Sequence, residues 1–192
     1  MKENNWFDPF YIQSHLNEEE SNIQKNVRDF CNNELKPTVV ERNRKNEFDQ
    51  DLYPKFGSLG VLGQTVKTHG GSGTSNLAYG LVAYEFEKID SSYRSSISVQ
   101  SSLVIHPINE FGSQEQKDKY LPQLIKGEKI GCFGLTESEA GSDPASMKTS
   151  FKKTKDGYIL NGSKNWITNA PIADIFIICL LYTSPSPRDL RK

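Results

Sequence analysis

The hydrophobic pattern of this chain changes period near Gly127, and that change limits it to a helical part followed by a sheet-forming part. Before Gly127 the apolar residues recur at helical spacing. Asn17 and Glu20 make a capping box, after which Ile23, Val27 and Phe30 fall on one face of a helix expected to reach Lys36. Pro37 then kinks that helix or opens a second segment. Residues 52–59 read as a short helix closed by Gly60 in a Schellman-like position. Residues 77–89 read as a buried helix carrying Leu81, Val82, Tyr84, Phe86 and Ile89, with Glu85, Glu87 and Lys88 as a narrow charged edge. Asp90 starts another helix, and Ser113 with Gln116 caps a last one that bears Tyr120, Leu121, Leu124 and Ile125.

After Gly127 the apolar runs are short and punctuated by Gly and Asp, as strands are: residues 130–135, 146–152, 158–160 and 175–178. Asp156-Gly157 between two of them is a hairpin signal. The expected class is α+β, with a helical domain over residues 1–127 and a partial β-domain over residues 128–179. The sheet so encoded has an edge that nothing in the chain closes. Residues 180–192 hold two Ser-Pro pairs and no hydrophobic periodicity, and read as a disordered tail. That tail is similar to the conceptual translation of a sequencing adapter, so no function is assigned to Thr183, Ser184 or Arg188.

With 23 basic and 24 acidic residues, the charge balance favours neither nucleic acid nor a membrane surface as partner. No apolar run approaches the ~20 residues that span a bilayer. Cys31, Cys132 and Cys179 form no C-x-x-C pair, which argues against a zinc knuckle or disulfide framework and for a reducing compartment. The amino terminus has neither an apolar h-region nor the Arg-rich composition of a transit peptide, which reads as a bacterial cytoplasmic chain; a eukaryotic source would instead imply the mitochondrial matrix. The glycine-rich residues 69–74 lack the Gly-Lys-Ser/Thr ending of a phosphate loop and read as a connection between helices. His15, His69 and His106 form no metal set, and His15 and His69 show no partner pattern. Glu85 and Glu87, two apart on a helix, point to different faces and are poor candidates for paired acid–base work.

Four stretches carry more than periodicity. They are residues 90–107, which include Tyr93-Arg94-Ser95 and His106-Pro107; residues 119–124; residues 131–143, with Phe133-Gly134-Leu135-Thr136-Glu137 and Gly141-Ser142-Asp143; and residues 162–169, with Trp166-Ile167-Thr168-Asn169. Taken singly, Gly141-Ser142-Asp143 is an ordinary turn, Trp166 a core residue and Arg94 a surface cation near a helix start, where the macrodipole does not favour it. Together, over residues 6–179, they resemble the acyl-CoA dehydrogenases, and within them the glutaryl-CoA dehydrogenase branch.

That resemblance implies an N-terminal helical domain, a middle β-domain and a C-terminal helical domain, the last missing here, in a homotetramer that binds FAD. It implies α-proton removal from an acyl-CoA, hydride transfer to the flavin, and an electron-transfer flavoprotein as acceptor. Main-chain groups of Phe133, Gly134, Leu135 and Thr136, with the Thr136 hydroxyl, would meet the flavin's pyrimidine edge. Gly141 and Ser142 would lie where the backbone approaches cofactor and substrate, Ser142 touching the CoA portion. Trp166, Ile167 and Thr168 would pack on or near the flavin ring, for which an indole offers a broad apolar face. Arg94, helped by Ser95, would hold the second carboxylate of glutaryl-CoA through its guanidinium fork. Oxidation followed by loss of that carboxylate as carbon dioxide gives crotonyl-CoA, a step of lysine and tryptophan breakdown. The family's catalytic base is a glutamate beyond this chain, so no catalytic residue is expected here and the chain alone is expected to be inactive. One departure is that Ser138 stands where the family usually has proline after Thr-Glu, which frees the loop by about 0.5–1 kcal/mol of pre-organisation. Two other readings remain open: a dehydrogenase of another acyl-CoA, or of glutaryl-CoA without decarboxylation, and a non-catalytic binding module.

Overall fold

The computed structural model describes residues 8–181, so the expectation for the tail falls, from residue 182 on, outside the described residues. The chain divides after Glu128 into two compact units, each considered by itself.

The first unit is helical. Helix α1 (Glu18–Phe30) begins at the expected capping box: the Asn17 side chain accepts the Glu20 N–H and the Glu20 carboxylate accepts the Asn17 N–H. The helix does not run on regularly to Lys36. It widens into a π-helical turn (Cys31–Leu35), in which the Lys36 N–H reaches back to the Cys31 carbonyl at 2.9 Å. Helices α2 (Val39–Lys45) and α3 (Leu52–Ser58) follow. Gly60, at φ +75°, turns the chain out of α3 while the Val61 N–H bonds the Phe56 carbonyl at 3.1 Å, the expected Schellman arrangement.

Helix α4 (Asn76–Glu87) is capped by Ser75, and α5 (Ser91–Ser98) by Asp90. Helix α5 continues through a second π-helical stretch (Val99–Ile105) into α6 (His106–Phe111). Ser113 and Gln116 form the second capping box, opening α7 (Gln114–Ile125). The core between α1, α3 and α4 is aromatic. Phe56 meets Phe86 edge-on at 5.4 Å, with Phe30 6.0 Å and Tyr53 5.8 Å from Phe56.

The structure corrects two expectations for this unit. Glu85 does not lie on a charged edge: it is 2% exposed and accepts hydrogen bonds from Gln24 Nε2 (2.9 Å), Arg28 Nη2 (2.9 Å) and Lys88 Nζ (3.0 Å). Burial pushes its carboxyl up, but the bonds from Arg28 and Lys88 outweigh that and hold it below the usual carboxylate range. His69 also has a partner. Its Nε2 lies 2.9 Å from Asp118 Oδ1 on α7, and the contact holds the Asp118 carboxyl low.

The second unit holds short strands, as α+β requires. Strand β1 (Gly131–Gly134) pairs in parallel with β4 (Ile175–Ile178), Gly131 opposite Ile175 and Gly134 opposite Ile178. Between them β2 (Ser150–Thr154) and β3 (Gly157–Asn161) form an antiparallel hairpin. Among the described residues each ladder is two-stranded, so every strand is an edge. The hairpin turn sits one residue earlier than Asp156-Gly157: Thr154 pairs with Gly157, which makes Lys155-Asp156 the loop and Gly157 the first ladder residue. Residues 146–149, expected at the start of β2, instead leave a 3-10 turn (Pro144–Ser146) in an irregular approach to the strand. The Leu181 N–H bonds the Thr149 carbonyl at 2.9 Å, so the ordered backbone runs past Cys179.

Candidate functional site

Strand β1 aims its exit, Leu135 and Thr136, at the segment around Lys164, and the contact is built from main-chain groups. The Asn165 N–H donates to the Thr136 carbonyl at 2.9 Å, and Lys164 Nζ donates to the Leu135 carbonyl at 2.8 Å. Both carbonyls are therefore engaged. The N–H groups of Leu135 and Thr136 and the Thr136 hydroxyl have no partner among the described residues, though both residues are half-buried. Unpaired donors in a partly dry setting are costly unless something accepts from them. Such a row of fixed donors suits an acceptor-bearing planar edge, such as the pyrimidine side of the flavin implied by the resemblance.

Beneath these residues lies a cluster that sequence reasoning missed. Glu137 accepts from Lys164 Nζ (2.7 Å), the Lys148 N–H (2.6 Å), the Thr149 N–H (3.0 Å) and the Thr149 hydroxyl. Both charged side chains are close to nine-tenths buried. Hydrogen bonds from Lys164, then Thr149 and Lys148, pull the Glu137 carboxyl down to about 2, so the carboxylate stays ionised across the physiological range. Gly162 makes the cluster possible. At φ +154° it passes so close that an added Cβ would lie 2.3 Å from Thr149 Oγ1.

After Lys164 and Asn165 the chain turns sharply. Trp166 takes a left-handed φ of +60° and is 94% exposed. A bulky residue held in that conformation with its largest apolar surface outward is strained and costly in water, which marks functional positions more than core positions. Among the described residues Trp166 is therefore part of no core. Ile167 and Thr168 are half-buried beside it, and the turn is anchored by buried Asn169, whose Nδ2 donates to the Gly131 carbonyl at 3.1 Å. Phe133–Thr136 and Trp166–Thr168 thus belong to one locality of the second unit, tied by residues 164, 165 and 169.

Gly141 and Ser142 lie outside that knot. They follow a tight turn in which Glu137 and Ala140 exchange N–H···O bonds of 3.1 Å, with Ser138 exposed inside it. Both are exposed, and a Cβ on Gly141 would meet nothing within 4 Å.

Arg94 and Ser95 are in the first unit, on α5. Arg94 Nε donates to Glu87 Oε2 at 2.7 Å, and Ser91 Oγ donates to Glu87 Oε1 at 2.6 Å. The bonds from Arg94 and then Ser91 hold the Glu87 carboxyl low. Only the inner nitrogen of the guanidinium is used; its terminal fork has no hydrogen-bond partner among the described residues. Ser95 is half-buried. Glu87 was set aside in the sequence as half of an acid–base pair with Glu85; its contact with Arg94 crosses from α4 to α5 over the extended Asp90, so helical spacing gave no signal for it.

Among the described residues no group of His, Cys, Asp and Glu could hold a metal ion, and no helix is long and apolar enough to cross a membrane.

Comparison with known proteins gives a consistent result. The acyl-CoA dehydrogenase N-terminal domain matches residues 17–128, and the acyl-CoA dehydrogenase middle domain matches residues 132–190. A mitochondrial isovaleryl-CoA dehydrogenase of Bos taurus is 40% identical over 166 residues, 85% of this chain and 39% of that protein. A glutaryl-CoA dehydrogenase of Mycobacterium smegmatis, solved in complex with FADH2, superposes with a TM-score of 0.85 at 42% identity, over 87% of this chain and 43% of its own. An acyl-CoA dehydrogenase of Bacillus anthracis complexed with FAD gives 0.81 at 36% identity, over 87% of this chain and 30% of its own. The chain thus spans about two fifths of the first relatives it matches.

Proposed function

The chain belongs to the acyl-CoA dehydrogenase family, and from that premise we propose that it is the front part of an FAD-dependent glutaryl-CoA dehydrogenase. FAD, when bound, accepts the hydride. The chain's own groups hold and shield it: Leu135 and Thr136 donate to its pyrimidine edge through N–H groups that have no partner among the described residues. Phe133 and Gly134 carry the strand that fixes those donors, and Trp166, Ile167 and Thr168 cover the ring. Gly141 and Ser142, exposed on their turn, are the positions where the CoA portion would pass.

The observation that carries the substrate reading is the Arg94–Glu87 contact. Glu87 holds the guanidinium by Nε alone, at 2.7 Å, and leaves the two-pronged fork for another carboxylate. A straight-chain acyl-CoA offers that fork nothing, whereas a dicarboxylyl-CoA offers a matched partner. Ser95 is the neighbouring hydroxyl. Oxidative decarboxylation to crotonyl-CoA, an electron-transfer flavoprotein as acceptor and a homotetrameric assembly belong to the same proposal.

The test is a chimera in which this chain replaces the matching residues of the M. smegmatis enzyme. Arg94→Gln is expected to raise KM for glutaryl-CoA at least tenfold, the loss of one charge-assisted pair of about 1.5–3 kcal/mol, while leaving butyryl-CoA unchanged. Equal effects on both substrates would refute the dicarboxylate assignment and favour a dehydrogenase of another acyl chain, as the isovaleryl relative's equal standing allows.

A further inference from the structure

The Glu137–Lys164 pair has no place in the chemistry described above, yet among the described residues it is the most deeply buried ion pair of the second unit. Its geometry gives it a specific task. Lys164 Nζ lies 2.7 Å from Glu137 Oε1 and 2.8 Å from the Leu135 carbonyl oxygen, so one ammonium joins a fixed carboxylate to one chosen peptide group. A trans peptide is planar, with its C=O and N–H pointing in opposite directions. Fixing the Leu135 oxygen therefore fixes the Thr136 N–H, which belongs to the same plane and points the other way. Glu137 is itself held by the N–H groups of Lys148 (2.6 Å) and Thr149 (3.0 Å), so the anchor is rigid. The Asn165 N–H on the Thr136 carbonyl, at 2.9 Å, does the same for the next plane, whose N–H is used by the Ala140 carbonyl at 3.1 Å. Of the two consecutive planes, one is closed on the protein and the other presents a donor with no partner among the described residues.

We propose that Lys164 is a positioning residue for the flavin: by gripping the Leu135 carbonyl it aims the Thr136 N–H outward as a preset donor, with Glu137 holding the ammonium in place. This rests on the flavin-binding reading. It goes beyond it in assigning the direction of one donor to one buried side chain that need not touch the cofactor.

The experiment titrates the 192-residue chain with FAD, following quenching of flavin fluorescence and the position of the long-wavelength absorption band, which responds to hydrogen bonding at the ring edge. Lys164→Met keeps the length of the stem and removes the donor; it is expected to weaken FAD binding at least about tenfold and to shift the bound-flavin band towards that of free FAD. Lys164→Arg keeps a donor for the Leu135 carbonyl and is expected to stay within about threefold of the parent chain. Glu137→Gln keeps an acceptor for Lys164 and for Thr149, and is expected to lower thermal stability while leaving FAD affinity within about threefold. Equal loss of affinity in Lys164→Met and Glu137→Gln would show that the pair acts only through the stability of the unit, and would overturn the proposal. Unchanged affinity and an unchanged band in Lys164→Met would overturn it as well. If Lys164→Met does not fold, Lys164→Leu, which likewise lacks a donor, takes its place with the same expected outcomes. Failure of the unaltered chain to bind FAD would instead remove the flavin reading itself, a result distinct from either.

Discussion

Replacing Glu85 by Gln tests whether the buried carboxylate of α4 organises the helical unit. The side chain is 2% exposed and receives three donors, from Gln24, Arg28 and Lys88, at 2.9, 2.9 and 3.0 Å. Gln keeps one acceptor oxygen for Gln24 and Arg28 but turns an NH2 group towards Lys88, so a charge-assisted contact is lost and a donor faces a donor. Removing one member of a fully buried pair costs about 3–5 kcal/mol. Here the side chains of Arg28 and Lys88 are 42% and 47% exposed and can turn to water, which relieves part of that penalty. The expected loss is therefore about 1.5–3 kcal/mol at pH 7, or about 5–12 °C in Tm for a unit of this size.

The pH dependence follows from the lowered carboxyl. A carboxylate whose folded pKa lies below its unfolded value contributes stability that is complete above the unfolded pKa and is lost as pH falls through the folded one. The deficit of Glu85→Gln should hold at neutral pH and narrow as pH drops below about 4.5, the ordinary value, because the parent chain then loses the same charge. The assay is thermal and urea unfolding followed by circular dichroism at ~222 nm, which reports the helical unit because the second unit holds only short strands. A deficit under about 0.5 kcal/mol at pH 7, or one that does not change in acid, would refute the reasoning.

Two further changes probe the second unit. Gly162→Ala places a Cβ 2.3 Å from Thr149 Oγ1 at φ +154°, and should weaken the local structure by about 2–4 kcal/mol, read as faster hydrogen exchange at the Lys148 and Thr149 amides; unchanged exchange would contradict it. Ser138→Pro restores the usual family residue at an exposed turn position whose N–H has no partner among the described residues, and should slow exchange at the Ala140 amide by the equivalent of about 0.5–1 kcal/mol; faster exchange would mean the turn cannot accept the ring.

Local chemistry was readable from the residues wherever it closes within a few positions. The capping boxes at Asn17 and Ser113 and the glycine exit at Gly60 depend on neighbours three to five residues away, and the structure has all of them. The hairpin was found but its turn was displaced by one residue, because a Gly beside Asp fits either a central turn position or, with φ +143°, the first position of the strand. What helical spacing could not supply was the fate of Glu85: its partners Gln24 and Arg28 are 61 and 57 residues away, and without them a glutamate belongs on the surface. His69 and Asp118, 49 residues apart, were hidden for the same reason. Within the candidate site, the residues aligned by resemblance were nameable, but the Lys164–Glu137 grip on the Leu135 carbonyl was not. It joins residues 27 and 29 apart through a main-chain atom that no side-chain pattern encodes.

The central claim is that the locality built from residues 133–136 and 166–168 holds FAD. Hydrogen exchange of the chain with and without FAD, resolved peptide by peptide, tests it most directly. The account predicts that FAD slows exchange at Leu135 and Thr136, whose amides have no partner among the described residues, and around Trp166 to Thr168, while the helical unit is little changed. Saturable FAD binding with protection elsewhere, or with none at Leu135 and Thr136, would contradict it.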